Sequence, residues 1–424
     1  MLMLKAAPRR GGIAAFFDWL VPPVRVPRHW SAAAFVVCAG FAGAVAIFST
    51  NGLHRLWGLI AASGYVAAAV GALTWRKRGT DLGLVLSVCG ALVAPLFLNA
   101  ASGRRQPEVA VITGSARDLV HHDSPYQSVA QLATAHSPNA YNPYLPVMIV
   151  FGIPRALFGS HVITDPRVWF GLAFLVIFWL ALRAAGARHA GRWTIFAAAT
   201  PIIAFELAVG GTDVPIIALM CLGFALLWRH PRFVLAGIAL GLASAAKATA
   251  WPAVVVASVL VGMRDGRRST LLFVGSALAS CLAVVGPVAV IWPGALLDNT
   301  IEFPLGLASM KSAAASPLPG HVMEDIGATG HMIAIGLLVA AAVGIAASLV
   351  IRPPTTVPSA VWRLIIGLTL MFTLAPATRY GYFIYPLALL LWLKVSEVGQ
   401  REGAAKAGAA RDADERIASP ASTA

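Results

Sequence analysis

Apolar residues run along this chain in blocks of roughly 20, broken by short polar punctuation, and that is the length a helix needs to cross a bilayer. The blocks fall at about 31–50, 56–75, 82–100, 167–182, 193–209, 214–228, 233–250, 252–263, 270–292, 331–351, 360–376 and 381–395. A further block, 143–159, is short and carries Asn142-Pro143, Pro146 and Pro154-Arg155. It reads as a segment that enters without crossing. The pattern predicts an all-α, polytopic transmembrane bundle of about twelve spans, or thirteen if that block crosses.

Composition removes the soluble alternatives. Of 424 residues 58% are apolar and 12% charged, with a mean hydropathy of +0.76, whereas an average soluble domain carries about 25% charge. A net charge of +14 would suggest nucleic acid in a soluble protein. Here, however, 23 of the 32 Lys and Arg fall on one side of the membrane when the blocks alternate from a basic N-terminus. They include Lys5, Arg9, Arg10, Arg76-Lys77-Arg78, Arg183, Arg192, Arg229, Arg264, Arg352 and Arg363. The excess therefore follows the positive-inside rule, and no nucleic-acid partner is expected.

Cys38, Cys89, Cys221 and Cys281 each sit inside an apolar run without a CxxC pair, and read as small buried hydrophobes. The N-terminal stretch is punctuated by Pro22, Pro23 and Pro27 and lacks the compact core of a signal peptide. The expected organisation is a basic cytoplasmic segment at 1–30, a transmembrane domain at 31–396 and a disordered cytoplasmic tail at 397–424. Two long non-cytoplasmic loops, 101–142 and 293–330, interrupt the transmembrane domain, and long loops commonly carry function.

In the first loop Val109, Ile112, Ala116 and Leu119 recur at helical spacing with Arg117 and Asp118 opposite, which predicts an amphipathic surface helix. Glu108 stands at its start. A carboxylate there either caps the helix, favoured by the dipole, or takes a proton from an attacking hydroxyl as general base.

An acid opening the first large loop, a surface helix, "DSPY" with Pro125 seventeen residues after Glu108, and the Pro-rich "NPYLP" resemble the integral-membrane glycosyltransferases of the GT-C superfamily. The likeness is closest to glycosyltransferase family 87, the actinobacterial mannosyltransferases. "AFELAVGGTDVP" (204–215), "LAGIALGLASAAKATAWP" (235–252) and "APATRYGYFIYPLALLLW" (375–392) resemble further family segments in order. The chain departs from the family in having Glu108 where Asp is usual, and three spans rather than one before the loop. The resemblance implies a GT-C-like helical fold and an inverting transfer of mannose from a polyprenyl-phosphate donor to a lipid or glycan acceptor, at the outer face of the plasma membrane, without a cofactor.

The charged residues fit that chemistry. Lys247 is the one base deep in an apolar block, and intramembrane charge is functional by default; it either holds the donor phosphate or snorkels to the boundary marked by Trp251. Arg379 can grip phosphate bidentately, while Tyr380, Tyr382 and Tyr385 form an aromatic belt or stack on a sugar. Glu206 and Asp213, with no local Lys or Arg, orient sugar hydroxyls, pair with Lys247 or Arg379, or bind a proton or cation. Tyr126 is a further candidate for substrate contact. His321 either helps at the donor phosphate or is simply solvated, and neither it nor His121-His122 has partners at metal spacing. The chain carries no Walker, GxGxxG or GxSxG motif. A transporter or flippase using Glu206, Asp213 and Lys247 is the alternative, but it would lead one to expect internal repeats. A ligase or polymerase acting on lipid-linked glycans shares the layout.

Overall fold

The computed structural model describes residues 27–74, 79–122, 124–134, 136–310 and 312–400. Lys5, Arg9, Arg10, Arg76-Lys77-Arg78, Asp123, Lys311 and nearly all of the 1–30 and 397–424 segments lie outside the described residues.

The main helices are α1 (Arg28–Phe48), α2 (Gly52–Thr74), α3 (Gly79–Ala101), α4 (Pro107–His122), α5 (Pro146–Phe158), α6 (Pro166–Ala184), α7 (Ala190–Ala199), α8 (Pro201–Val209), α9 (Val214–Leu226), α10 (Phe233–Ser244), α11 (Trp251–Ile291), α12 (Ala328–Ile351), α13 (Val357–Leu374) and α14 (Tyr380–Gln400). Among the described residues the sole extended pairing is an isolated bridge between Ala315 and Thr378. Among the described residues, by length and composition eight helices can cross a membrane, nine if the bent pair α7 and α8 forms one span.

The sequence marks many of these starts. Pro occupies the first turn of α6, α8, α9, α11 and α13, where its missing N–H costs nothing. The Asp165 carboxylate caps α6 by accepting from Arg167 N–H, and Thr356 caps α13 by accepting from Ser359 N–H.

The bundle is turned inside out relative to a soluble protein. Phe48, Val290 and Val350 are each 81% exposed, whereas Arg167 is fully buried. Apolar side chains on the outer surface suit hydrocarbon, and the molecule is a multi-pass membrane protein.

Every predicted block is helical, and the differences lie in the breaks. The block 193–209 bends by 68° between α7 and α8 because Pro201 cannot donate into the preceding turn. Carbonyls freed there find other donors: Tyr65 Oη donates to Ala199 O at 2.6 Å, and Thr200 Oγ1 to Ala197 O at 2.6 Å. The blocks 252–263 and 270–292 are two helical runs within α11, parted at Gly266, whose φ 81° and ψ 179° are not helical, a backbone region that glycine enters without penalty. The block 233–250 stops early, at Ser244.

The block 143–159 forms a short 3₁₀ and α segment whose two flanks lie at one end of the bundle. Leu145 N–H donates to Ala246 O at 2.9 Å, and Arg167 Nη1 to Ala208 O at 3.1 Å. Meanwhile Arg192 meets Asp81 at 2.5 Å, Gln400 Nε2 donates to Ala185 O at 3.0 Å, and Arg363 donates to the Arg352 carbonyl. Arg192, Arg352 and Arg363 thus lie at the opposite end of the bundle from the carboxylates discussed next, whereas Arg167, Lys247 and Arg379 share the end that holds them.

Candidate active site

Four breaks in the helical pattern meet at that end. The first is the start of α4. Its buried stripe, Val109, Ile112 and Ala116, packs on α5, so the amphipathic helix predicted to lie on the membrane is seated on protein. The seat is close: a Cβ on Gly152 would stand 2.5 Å from Ile112 O. This packing fixes the first turn of α4, and with it Glu108.

The second break follows α8. The α8 C-terminal carbonyls are satisfied from outside the helix: Ala208 O accepts from Arg167 and from Asn99 Nδ2, and Val209 O accepts from Gln106 N–H. Gly210 and the left-handed Gly211, φ 66°, then reverse the chain and set Asp213 at the start of α9.

The third break separates α10 from α11. Lys247 is extended, φ −161° and ψ 140°, and the stretch before it is stitched to the Pro-rich segment, with Val147 N–H donating to Ala245 O at 3.1 Å. Sequence placed Lys247 within an apolar helix; it stands instead in the gap where that helix has ended, because backbone groups of 145–147 replace the helical partners. The fourth break, 375–379, precedes α14 and holds Arg379.

These breaks assemble two ion pairs. Arg379 Nη1 donates to Glu108 Oε1, while Glu108 Oε2 is buried without a partner among the described residues. Lys247 Nζ donates to Asp213 Oδ1 at 2.6 Å, and Tyr385 Oη donates to the same oxygen at 3.0 Å. Thr249 Oγ1 in turn donates to Tyr385 Oη at 2.9 Å. The Lys247 ammonium also lies 5.3 Å from the Tyr144 ring centroid and 5.0 Å from that of Tyr382, within cation–π range. Glu206 is within coulombic reach of Asp213, Glu108, Lys247 and Arg379, and a Cβ on Gly381 would meet its Oε1 at 2.9 Å. Burial alone would lower the Arg379 pKa, but the Glu108 charge and hydrogen bond together with the neighbouring Tyr382 and Tyr144 outweigh it and hold the guanidinium above its usual value.

The remaining candidates sit further out. Tyr126 is buried and donates to Tyr144 O at 2.8 Å, so it supports a ring of the site. Tyr380 is 57% exposed and its N–H donates to Ser316 Oγ at 3.1 Å. His321 Nδ1 lies 2.8 Å from Pro376 O, which ties the second long loop to the segment carrying Arg379. The Ala315–Thr378 bridge fastens the same loop. His121 is exposed. Among the described residues no three His, Cys, Asp or Glu converge on a common point.

Sequence reasoning missed Tyr144, Thr212, Gln106 and His54. Tyr144 Oη and Thr212 Oγ1 lie 3.0 Å apart, and Gln106 Nε2 is 2.9 Å from His54 Nε2. The available signals were the Pro-rich stretch around Tyr144 and the polar residue after Gly210-Gly211; His54 had none, since it begins an apolar block.

A model of glycosyltransferase family 87 matches residues 142–376. Asp213, Lys247 and His321 fall within that range, and Glu108 and Arg379 flank it. Among solved structures, the crystal structure of ArnT from Cupriavidus metallidurans in the apo state is similar with a TM-score of 0.47 and 17% identity, over 74% of this chain. The chain spans 58% of that protein's length. No curated protein matches.

Proposed function

The chain belongs to glycosyltransferase family 87, and on that premise we propose that it moves mannose from a polyprenyl-phosphate-linked donor to a hydroxyl of a lipid or glycan acceptor. The acceptor oxygen attacks the anomeric carbon as its proton passes to Glu108. The bond from that carbon to the phosphate oxygen breaks, and polyprenyl phosphate leaves. One displacement inverts the anomeric configuration.

The observation that carries this reading is the Glu108 carboxylate, anchored through one oxygen to Arg379 and with the other buried and unpaired among the described residues. A general base needs one such oxygen directed at substrate. The second ion pair supports the leaving-group role. Lys247 and Arg379 bring two cations to one end of the bundle, and Arg379 can reach a phosphate through the guanidinium N–H groups that Glu108 leaves unused. His321 assists from the loop fastened beside Arg379. Asp213 and Glu206 accept hydrogen bonds from sugar hydroxyls, Tyr382 offers a ring face, Tyr126 holds the Tyr144 backbone from behind, and the exposed Tyr380 stands at the rim.

The domain 31–396 is the catalytic unit, with 101–142 as its catalytic loop. The protein resides in the plasma membrane with the basic end cytoplasmic and the two ion pairs extracytoplasmic, where a lipid carrier supplies the leaving group. The test is transfer of radiolabel from polyprenyl-phosphomannose by membranes containing the protein. Label transfer lost in Glu108→Gln is expected; equal transfer by that variant and the wild type removes Glu108 as base.

A further inference from the structure

A cleft of about 340 Å³ runs along one face of α4, starting at Gln106 and Pro107 beside Glu108. Its size falls in the range of small-molecule sites, about 300–1,000 Å³. The helix contributes Pro107, Val111, Gly114 and Asp118, spaced so that they share one stripe. Across from them stand Gln127, Asn139 and Asn142.

Two features separate this cleft from a packing gap. First, Gly114 lies in the interior of α4, where glycine is among the least favourable residues. A Cβ built there meets nothing within 4 Å, so no packing contact demands glycine. What the missing side chain leaves is room. Second, the opposite wall is amide-rich and partly unengaged. Asn142 is fixed: its Nδ2 donates to Ser115 Oγ at 2.8 Å and its N–H to Asn299 Oδ1 at 2.7 Å. The side-chain amides of the half-buried Gln127 and the exposed Asn139, by contrast, have no hydrogen-bond partner among the described residues. Each offers both donors and an acceptor, which matches the paired donor and acceptor character of vicinal hydroxyls. The ammonium and the tyrosine rings of the site do not line it.

We propose that this cleft binds the terminal sugar of a hydroxyl-rich acceptor glycan, held open by Gly114 and read by Gln127 and Asn139. The assignment rests on the transferase reading above and adds to it the acceptor class and an approach to Glu108 along α4. Lys247 and Arg379 serve the donor on their own side.

The test uses the full chain, purified in lipid nanodiscs, with polyprenyl-phosphomannose as donor and octyl mannoside or free mannobiose as acceptor probes. Gly114→Leu is expected to raise the acceptor KM at least tenfold with the donor KM unchanged. Gly114→Ala should shift it less, and Gln127→Ala with Asn139→Ala should raise it severalfold. An unchanged acceptor KM in Gly114→Leu, or an equal rise in both KM values, overturns the proposal. A second arm needs no turnover: in a chain with its native cysteines replaced by alanine, Gly114→Cys is labelled with a maleimide. Protection by either probe supports the cleft even if the wild type transfers no mannose, in which case the transferase reading alone falls. Protection by octyl mannoside only points to a lipid-linked glycan, and protection by both to a free or polymeric one. No protection by either overturns the proposal.

Discussion

Arg379 engages one oxygen of Glu108 and leaves the other buried without a partner among the described residues. The carboxylate is thereby oriented through one oxygen, with the other oxygen's acceptor capacity unspent.

Glu108→Gln keeps the shape and removes the basicity. A positioned base contributes about 10²–10⁴-fold to rate, so kcat is expected to fall by about that factor with the donor KM little changed. Steady-state transfer from labelled polyprenyl-phosphomannose measures both, and a fall confined to KM would contradict the assignment.

Lys247 and Asp213 form a pair in which each side chain keeps 12% exposure. Removing one partner of a buried pair strands the other charge, so Lys247→Met is expected to cost about 2–3 kcal/mol, below the figure for full burial. Adding Asp213→Asn should recover most of that stability and none of the activity. Thermal unfolding of the single and double variants checks the first half, and transfer assays check the second.

Asp165 sits between Arg155 at 3.1 Å and Arg167 at 2.8 Å. Burial alone would raise its pKa, but the Arg167 hydrogen bonds and the two guanidinium charges outweigh that and hold it below the ordinary carboxylate value of 3.8. A depressed folded pKa stabilises the protein above the unfolded value and is lost as pH falls through the folded one. The thermal midpoint of Asp165→Asn should therefore lie below that of the wild type at pH 6–8. The gap should narrow below about pH 4, as a pH series of unfolding curves would record.

Gly152→Ala probes how α4 is seated. The new Cβ would press on Ile112 O, and overpacking of this kind typically costs about 1–3 kcal/mol. Because the displaced helix carries Glu108, kcat should fall together with the thermal midpoint. Gly159→Ala, at an open turn on the far end of the same segment, with φ 77°, should lower the midpoint by backbone strain alone and leave kcat unchanged.

Much of the fold was legible because bilayer-length apolar blocks leave a helix few alternatives. What the sequence concealed were the interruptions. Nothing in "ASAAKATAW" announces that α10 stops at Ser244, since Ala is the best helix former; the carbonyls of Ala245 and Ala246 are drawn off by Val147 and Leu145, about a hundred positions earlier. The same limit applied to the site. Glu108, Lys247, Asp213 and Arg379 could each be singled out as costly charges among apolar neighbours; the Asp213–Lys247 pair was one of several alternatives the residues offered, and the Glu108–Arg379 pair could not be read. Tyr144 escaped because a tyrosine in a Pro-rich loop is unremarkable until an ammonium stands against its ring.

The Glu108–Arg379 contact spans 271 positions, and this has a biosynthetic consequence. During translation the carboxylate enters the membrane early, whereas its guanidinium partner leaves the ribosome only after α13 has been made. Until then α4 can already rest on α5, and Lys247 can already meet Asp213, but the carboxylate has no counter-cation. A chain interrupted before residue 379 would keep most of the apolar bundle and lack the contact that orients its base. Under the role proposed for Glu108, a chain interrupted before residue 379 would therefore lack transfer activity.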